Sequence, residues 1–439
     1  MSSSPSPSPS GPSSSSPSSS SSSSPDRGRR RALLLENIHP DGVSVLESAG
    51  FEVETTSRSL GEDELRERLA DVDVIGIRSR THVTDAVLDA APHLLAVGAF
   101  CIGTNQIDLA SATRRGIAVF NAPFSNTRSV VELAIAEMIA LTRRLTDKNA
   151  AMHAGKWDKS AVGSHEIRGR RLGIVGYGNI GSQLSVVAET LGMSVLFYDT
   201  ADKLALGNAR SCGTLEELLE SVDIVTLHVD GRPANREMFG EEELARMRPG
   251  SLFLNLSRGF LVDHSALRAH LVSGHLAGAA VDVFPHEPSS SSEPFVSELQ
   301  GLPNVILTPH VGGSTEEAQQ DIGNFVASKL VRYFDRGNTS LSVNLPPLDV
   351  PEPAGPGRLL YVHQNVPGVL AEVNSLIAEH GLNVAGELLG TRGEVGYVVT
   401  DLSADPPAEL VKALETLEVT VRLRVVSQEA RTSQAARTS

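Results

Sequence analysis

Short apolar runs alternate with amphipathic stretches along most of the chain. Runs at residues 32–35, 72–77 and 94–97 read as buried strands, with helices over 43–49 and 63–69 between them. Another run, 172–175, leads through a glycine turn into a stretch with Ile180, Leu184, Val187, Ala188 and Leu191 on one helical face. A strand follows over 193–198. Runs at 222–227, 252–256 and 278–283 continue the pattern, and 309–327 returns as loop and helix. Such alternation predicts an α/β architecture with parallel sheets. Residues 129–144 are apolar round most of a helix circumference, which predicts burial between domains or subunits. The proline-rich stretch 345–357 reads as a linker. Beyond it the order becomes strand 359–363, helix 369–380, strands 383–389 and 395–402, helix 408–417 and strand 419–426. This βαββαβ order is ferredoxin-like.

Composition removes several classes of function. Residues 1–31 are almost all Ser and Pro, closing on Arg27, Arg29, Arg30 and Arg31, and 428–439 are polar and repetitive. Neither end has the apolar content to bury a core, so both are expected to be disordered. The N-terminal segment lacks the apolar stretch of a secretory signal. A net charge of -15 argues against nucleic acid as a partner. No run is long enough to span a membrane. Two cysteines, Cys101 and Cys212, make no disulfide framework and no cysteine-rich metal site, which fits a reducing cytoplasm. The length of 439 residues allows two or three domains.

The glycine turn is Gly176-x-Gly178-x-x-Gly181. Gly176 permits the tight turn, Gly178 lets the backbone approach a pyrophosphate, and Gly181 lets helix pack on strand. The helix N-terminus favours phosphate charge. Asp199 closes the next strand, where an acid accepts from the ribose hydroxyls of NAD and repels the 2′-phosphate of NADP. Strand, glycines, helix, strand and acid in this order predict NAD as cofactor. Other polar stretches follow strands: Arg78-Ser79-Arg80, Cys101-Ile-Gly103-Thr-Asn105, the turn bearing Arg258, the proline-flanked Glu287, and His310 before a glycine turn. Singly, Arg258 reads as a solvated charge, Glu287 as a loop acid and His310 as an ordinary histidine. Together, at successive strand ends beside a cofactor cleft, they suit hydroxyl oxidation. A histidine takes the proton, a carboxylate orients it, and an arginine grips an α-carboxylate.

RSRTHVT, GAFCIGTNQIDL, FNAPFSNTRSVVEL, GIVGYGNIG, NLSRG, AAVDVFPHEP and LTPHVGGST together resemble the D-isomer-specific 2-hydroxyacid dehydrogenase family over roughly residues 32–427. RSRTH, CIGTN and NAPFSNTRS point to its phosphoglycerate-oxidising branch. The resemblance implies Arg258, Glu287 and His310 as catalytic residues. It implies NAD contacts at Gly176, Gly178, Asn179, Ile180, Gly181, Asp199, Leu256, Ser257, Arg258, Asp282, His310, Val311, Gly312 and Gly313. Substrate contacts are implied at Arg78, Ser79, Arg80, Asn126 and Lys159. A Rossmann-type NAD domain, 126–312, is expected inside a flavodoxin-like substrate domain, 32–125 and 313–345. A linker, 346–357, and an ACT regulatory domain, 358–427, should follow.

The implied reaction is NAD-dependent oxidation of 3-phospho-D-glycerate to 3-phosphohydroxypyruvate, the first step of L-serine biosynthesis, in a homotetramer or homodimer. L-serine is the implied allosteric inhibitor, at His363, Asn365 and Asn383. Reduction of 2-oxoglutarate is an expected side activity. The chain departs from the pattern in the loop before Leu60, where Ser57 and Arg58 stand and no substrate lysine is evident. Two other readings share this fold: a glyoxylate or hydroxypyruvate reductase, and a non-catalytic NAD-sensing protein.

Overall fold

The computed structural model describes residues 29–288 and 293–427, built on three sheets. The first holds β1 (Arg30–Leu34), β2 (Phe51–Thr55), β3 (Val74–Ile77), β4 (Ala96–Ala99) and β5 (Ala118–Asn121). Its order, β2-β1-β3-β4-β5, is flavodoxin-like, and every pairing is parallel. The second holds β6 (Arg171–Val175), β7 (Ser194–Tyr198), β8 (Arg210–Ser211), β9 (Ile224–Leu227), β10 (Ser251–Asn255), β11 (Leu276–Val281) and β12 (Val305–Leu307). The order β12-β11-β10-β9-β6-β7-β8 is doubly wound, reversing between β6 and β9 where a dinucleotide crevice opens. The third is antiparallel: β13 (Gly357–Gln364), β14 (Val384–Arg392), β15 (Val395–Leu402) and β16 (Thr420–Ser427), in the ferredoxin-like order β14-β15-β13-β16.

The helix Thr127–Thr142 leads from the first sheet to the second. Its Val130, Val131, Ala134, Met138 and Leu141 pack with Ile174, Leu184 and Leu254 of the second sheet's core. The helix Glu316–Arg336 returns, setting Ile322, Val326 and Leu330 against Val74, Phe100 and Phe120 of the first. The Thr315 hydroxyl caps its start, and Gly337, left-handed at φ 77, ends it.

Several strands were not expected from the sequence. β2 is an edge strand with only Phe51 buried, so it shows no apolar run. β12 spans three residues, too short for periodicity to register, and β5, four residues long, overlaps the apolar run 117–120, which the sequence reading missed. β1 starts at Arg30, inside the segment expected to be disordered: Arg30 pairs with Asp335 at 2.8 Å and lies over the rings of Phe51 and Phe334. The rest of that tail and residues 428–439 lie outside the described residues.

The proline-rich stretch is not a free linker. Leu345 and Val350 are buried in one apolar core with Tyr333 and Phe334 of the long helix and Leu360, Val362, Tyr397, Val399 and Val426 of the third sheet. Among the described residues, no helix is long and apolar enough to cross a membrane, and no cluster suits a metal ion.

Candidate active site

The glycine turn sits at the end of β6, beside the switch point. Gly176 is left-handed at φ 93, and a Cβ there would lie 2.6 Å from the His228 carbonyl oxygen. A Cβ on Gly181 would lie 2.3 Å from the Gly176 carbonyl oxygen, so helix Asn179–Thr190 approaches the turn at backbone contact. A Cβ on Gly178 would meet nothing within 4 Å. The close contacts explain Gly176 and Gly181. Gly178 borders open space at the helix N-terminus, starting with Asn179 and Ile180, which is the cradle a pyrophosphate needs. Asp199, one residue past β7, accepts from the Tyr177 N–H at 2.8 Å and the Ala201 N–H at 2.9 Å. Glycine cradle and acid therefore fit NAD.

The three expected catalytic residues follow three adjacent parallel strands, β10, β11 and β12. After β10, Leu256 and Ser257 are buried, Ser257 Oγ donates to the Leu227 carbonyl at 2.7 Å, and Asn255 Nδ2 donates to the Arg258 carbonyl at 3.0 Å. Arg258 Nη1 donates to the Ser257 carbonyl at 2.7 Å. After β11, Asp282 binds the loop after β12: its carboxylate accepts from Thr308 Oγ1 at 2.6 Å and from the Val311 and Gly312 N–H groups, each at 2.8 Å. Gly313 abuts Asn126, whose Nδ2 would lie 2.3 Å from an added Cβ.

Glu287 accepts from the Phe284 N–H at 3.1 Å through Oε1 and meets His310 Nδ1 at 2.8 Å through Oε2. His310 itself is left-handed at φ 54, uncommon for a side chain with a Cβ. The hydrogen bond to Glu287 raises the His310 imidazole above its ordinary value, against burial and Arg258. Burial pushes the Glu287 carboxyl up, but His310, the Phe284 N–H and Arg258 together hold it below the ordinary value.

Arg80 from the first sheet lines one cleft of about 560 Å³ with Glu287, Thr308, Pro309 and His310 from the second. The CIGTN loop approaches Arg258, since a Cβ on Gly103 would lie 3.4 Å from Arg258 Nη2. The loop bearing Arg78, Ser79 and Arg80 is anchored by a residue the sequence reading missed. Glu36, 2% exposed just after β1, accepts from the N–H groups of Arg78 at 3.2 Å, Arg80 at 3.0 Å and Thr81 at 2.9 Å. An acid closing an apolar strand was its signal, as for Asp199. In the loop before Leu60, the Arg58 guanidinium pairs with Glu64 and its carbonyl accepts from the Glu36 N–H. Glu137, also missed, is buried in the helix Thr127–Thr142 without a hydrogen-bond partner for either carboxylate oxygen. Burial and then Asp282 raise it to about 8.

Lys159 is exposed on the loop after helix Leu145–His153, with no described contact to the cleft. In the third sheet, His363 is 3% exposed, with Nδ1 at 2.7 Å from the Gln364 carbonyl. Asn365 Nδ2 donates to the Gly393 carbonyl at 3.1 Å. Asn383 precedes the opposite end of β15: His363 pairs with Gly396, whereas Val384 pairs with Leu402. Six residues of strand separate these ends by about 20 Å, so one chain does not bring the three together. Pro367 precedes the helix Val369–Glu379, whose cap is Gly368.

Residues 135–312 match the family model described as D-isomer specific 2-hydroxyacid dehydrogenase, NAD binding domain, and 359–422 match an AHAS small subunit-like ACT domain. The chain is 48% identical over 402 residues to the D-3-phosphoglycerate dehydrogenase of Haemophilus influenzae, covering 91% of this chain and 98% of that one. It is 46% identical over 405 residues to D-3-phosphoglycerate dehydrogenase 1 of Saccharomyces cerevisiae, covering 90% and 86%. The crystal structure of the NAD-dependent formate dehydrogenase from Staphylococcus aureus in complex with NAD superposes with a TM-score of 0.61 at 28% identity, covering 70% of this chain and 96% of that one.

Proposed function

The chain belongs to the D-3-phosphoglycerate dehydrogenases, within the D-isomer-specific 2-hydroxyacid dehydrogenase family, and from that premise we propose how its residues act. It is an NAD-dependent oxidoreductase that converts 3-phospho-D-glycerate to 3-phosphohydroxypyruvate, the first step of L-serine biosynthesis. The observation that carries the assignment of roles is the His310–Glu287 pair, 2.8 Å long, in a cleft shared with Arg80.

Glu287 occupies Nδ1 of His310, which leaves Nε2 for the substrate hydroxyl. His310 takes the hydroxyl proton at Nε2, and Glu287 stabilises the imidazolium that results. Arg258 grips the α-carboxylate and draws charge toward the oxygen that becomes the carbonyl. Arg78 and Arg80 hold the phosphate as charge-assisted donors, with Ser79 between them, and Asn126 reaches the substrate from the start of helix Thr127–Thr142. Lys159 contributes only if its exposed loop closes on the cleft. When bound on the glycine cradle and Asp199, NAD supplies the hydride acceptor. The same arginines admit the second carboxylate of 2-oxoglutarate, whose reduction is a slower side reaction.

L-serine is the feedback ligand of the ACT domain. Its site lies between two modules, because His363 and Asn365 stand at one end of the sheet and Asn383 at the other. Strand β14 supports such pairing. It is a sheet edge with Val384, Leu388 and Leu389 exposed, in a homotetramer or homodimer. Two free thiols fit the cytoplasm.

Incubation with 3-phosphoglycerate and NAD should raise NADH absorbance. Turnover of unphosphorylated 2-hydroxy acids alone would overturn the substrate, and NAD binding without turnover would favour the sensing alternative.

A further inference from the structure

We propose that Glu36 is a positioning residue for substrate specificity, holding the Arg78–Arg80 loop in the shape that reads a phosphate; this rests on the phosphate reading of those arginines. The geometry is an inverted anion cradle. Successive backbone N–H groups in a turn form a concave site that commonly receives an anion. Here the protein's own carboxylate fills it: Oε1 accepts from Arg78 and Thr81, and Oε2 from Arg80. Three of the loop's main-chain donors are thereby occupied, which turns recognition of the phosphate over to the guanidiniums. Arg80 Nε lies 3.7 Å from the same carboxylate, and Arg78 Nη1 lies 3.5 Å from the Glu36 carbonyl oxygen, so the acid also sets where both charges start.

A second observation is independent of those bonds. Glu36 and Asn37 are both left-handed, at φ 61 and φ 56, although neither is glycine. Consecutive residues there are costly and persist where surrounding structure fixes them. Glu36 N–H binds the Arg58 carbonyl and Asn37 N–H the Thr56 carbonyl, so the strained turn ties two loops to one point. From the other side, Gln106 Nε2 donates to the Arg78 carbonyl at 2.6 Å, clamping that residue between two side chains.

The test uses full-length enzyme with NAD and compares Glu36→Gln, Glu36→Asp and Arg80→Ala. Gln keeps the shape but turns an NH2 toward N–H donors, and Asp keeps the charge but falls a methylene short. Loss of a charge-assisted bond predicts a KM for 3-phosphoglycerate raised roughly tenfold or more in Glu36→Gln. Its kcat at saturation should stay within about twofold, and its KM for NAD should not move, because only positioning of the substrate is lost. Glu36→Asp should fall between Glu36→Gln and wild type. If Arg80→Ala raises that KM and Glu36→Gln does not, the proposal is overturned and the phosphate reading stands. If Arg80→Ala leaves it unchanged, the phosphate reading fails and this role with it. A parallel fall in kcat and melting temperature in both Glu36 variants, or failure of both to fold, makes Glu36 purely structural and overturns the proposal.

Discussion

His310 turns Nδ1 to within 2.8 Å of Glu287 Oε2 from a left-handed backbone at φ 54. The pair raises the imidazole, with the Glu287 hydrogen bond as the largest cause. Oxidation needs the neutral base, so rate should rise with pH through a midpoint above the ordinary value of about 6.5. Glu287→Gln removes the carboxylate, and the midpoint should move to lower pH while kcat falls. His310→Ala should cut kcat by roughly 10²–10⁴ with NAD binding kept. An unchanged pH–rate profile in Glu287→Gln would take Glu287 out of this role.

The glycine turn separates a packing role from a binding role. Gly181→Ala would press a methyl against the Gly176 carbonyl oxygen, at 2.3 Å, so melting temperature should drop. Gly178→Ala meets no protein atom, so melting temperature should hold while NAD weakens by roughly tenfold or more. Calorimetry showing equal NAD affinity for wild type and Gly178→Ala would place the pyrophosphate elsewhere.

Fold and site were unequally legible in the sequence. Glycine turn, Asp199, Arg258, Glu287 and His310 were readable because each sits in a local pattern tied to a strand end. Glu36 carried only the local signal of an acid closing an apolar run, and Glu137 none, because their importance comes from partners remote in sequence: Glu36 from Arg78–Thr81, and Glu137 from Asp282. β2, an edge strand, carries little apolar pattern. The 345–357 stretch looked like a linker because proline dominates it, while the two residues that anchor it, Leu345 and Val350, are lone apolar side chains.

Asp199 should set cofactor preference. Its carboxylate is pinned by the Tyr177 and Ala201 N–H groups, and Arg232 is close enough to feel its charge. Asp199→Ala should weaken NAD and improve NADP, which Arg232 is then able to attract. A wild-type enzyme using both cofactors equally would be incompatible with this assignment.

Glu137 should make stability depend on pH. The unfolded carboxyl titrates near the ordinary value of 4.5 and the folded one at about 8. Between these values the native state binds more protons, so stability falls as pH rises from the first to the second and is flat above. Glu137→Met removes both the titration and the unpartnered oxygens. Its stability advantage over wild type should grow across that window by a few kcal/mol, on the order of 1.4 per pH unit. Denaturation curves differing by a constant amount from pH 5 to 9 would sink this account.

Removing the third sheet should damage the enzyme rather than simply free it from regulation. The sheet covers Tyr333 and Phe334 with Leu360, Val362, Tyr397, Val399 and Val426. Polar ties add to this. Arg358, 1% exposed, binds Asp401 at 2.6 and 2.8 Å and the Arg336 and Pro351 carbonyls at 3.0 Å each. Arg422 donates to the Leu94 carbonyl at 2.6 Å, and Tyr397 to the Gly337 carbonyl at 2.7 Å. Arg424 lies over the Tyr333 and Phe334 rings at 4.8 and 4.9 Å. Truncation after Pro346 would expose this apolar face, so the product should melt lower and self-associate. Arg358→Ala, which removes both guanidinium bonds from the buried Asp401 and leaves it the Ala354 N–H at 2.9 Å, should cost about 3–5 kcal/mol. By contrast, Asn365 is exposed, and its side chain donates to the Gly393 carbonyl of a surface turn while its N–H, which the substitution keeps, binds the Glu394 carbonyl. Asn365→Ala should therefore keep the fold and the activity while losing L-serine binding in calorimetry. A truncated chain that stays monodisperse with an unchanged melting temperature would show that the module is a detachable appendage. Undiminished serine inhibition of Asn365→Ala would move the regulatory site elsewhere.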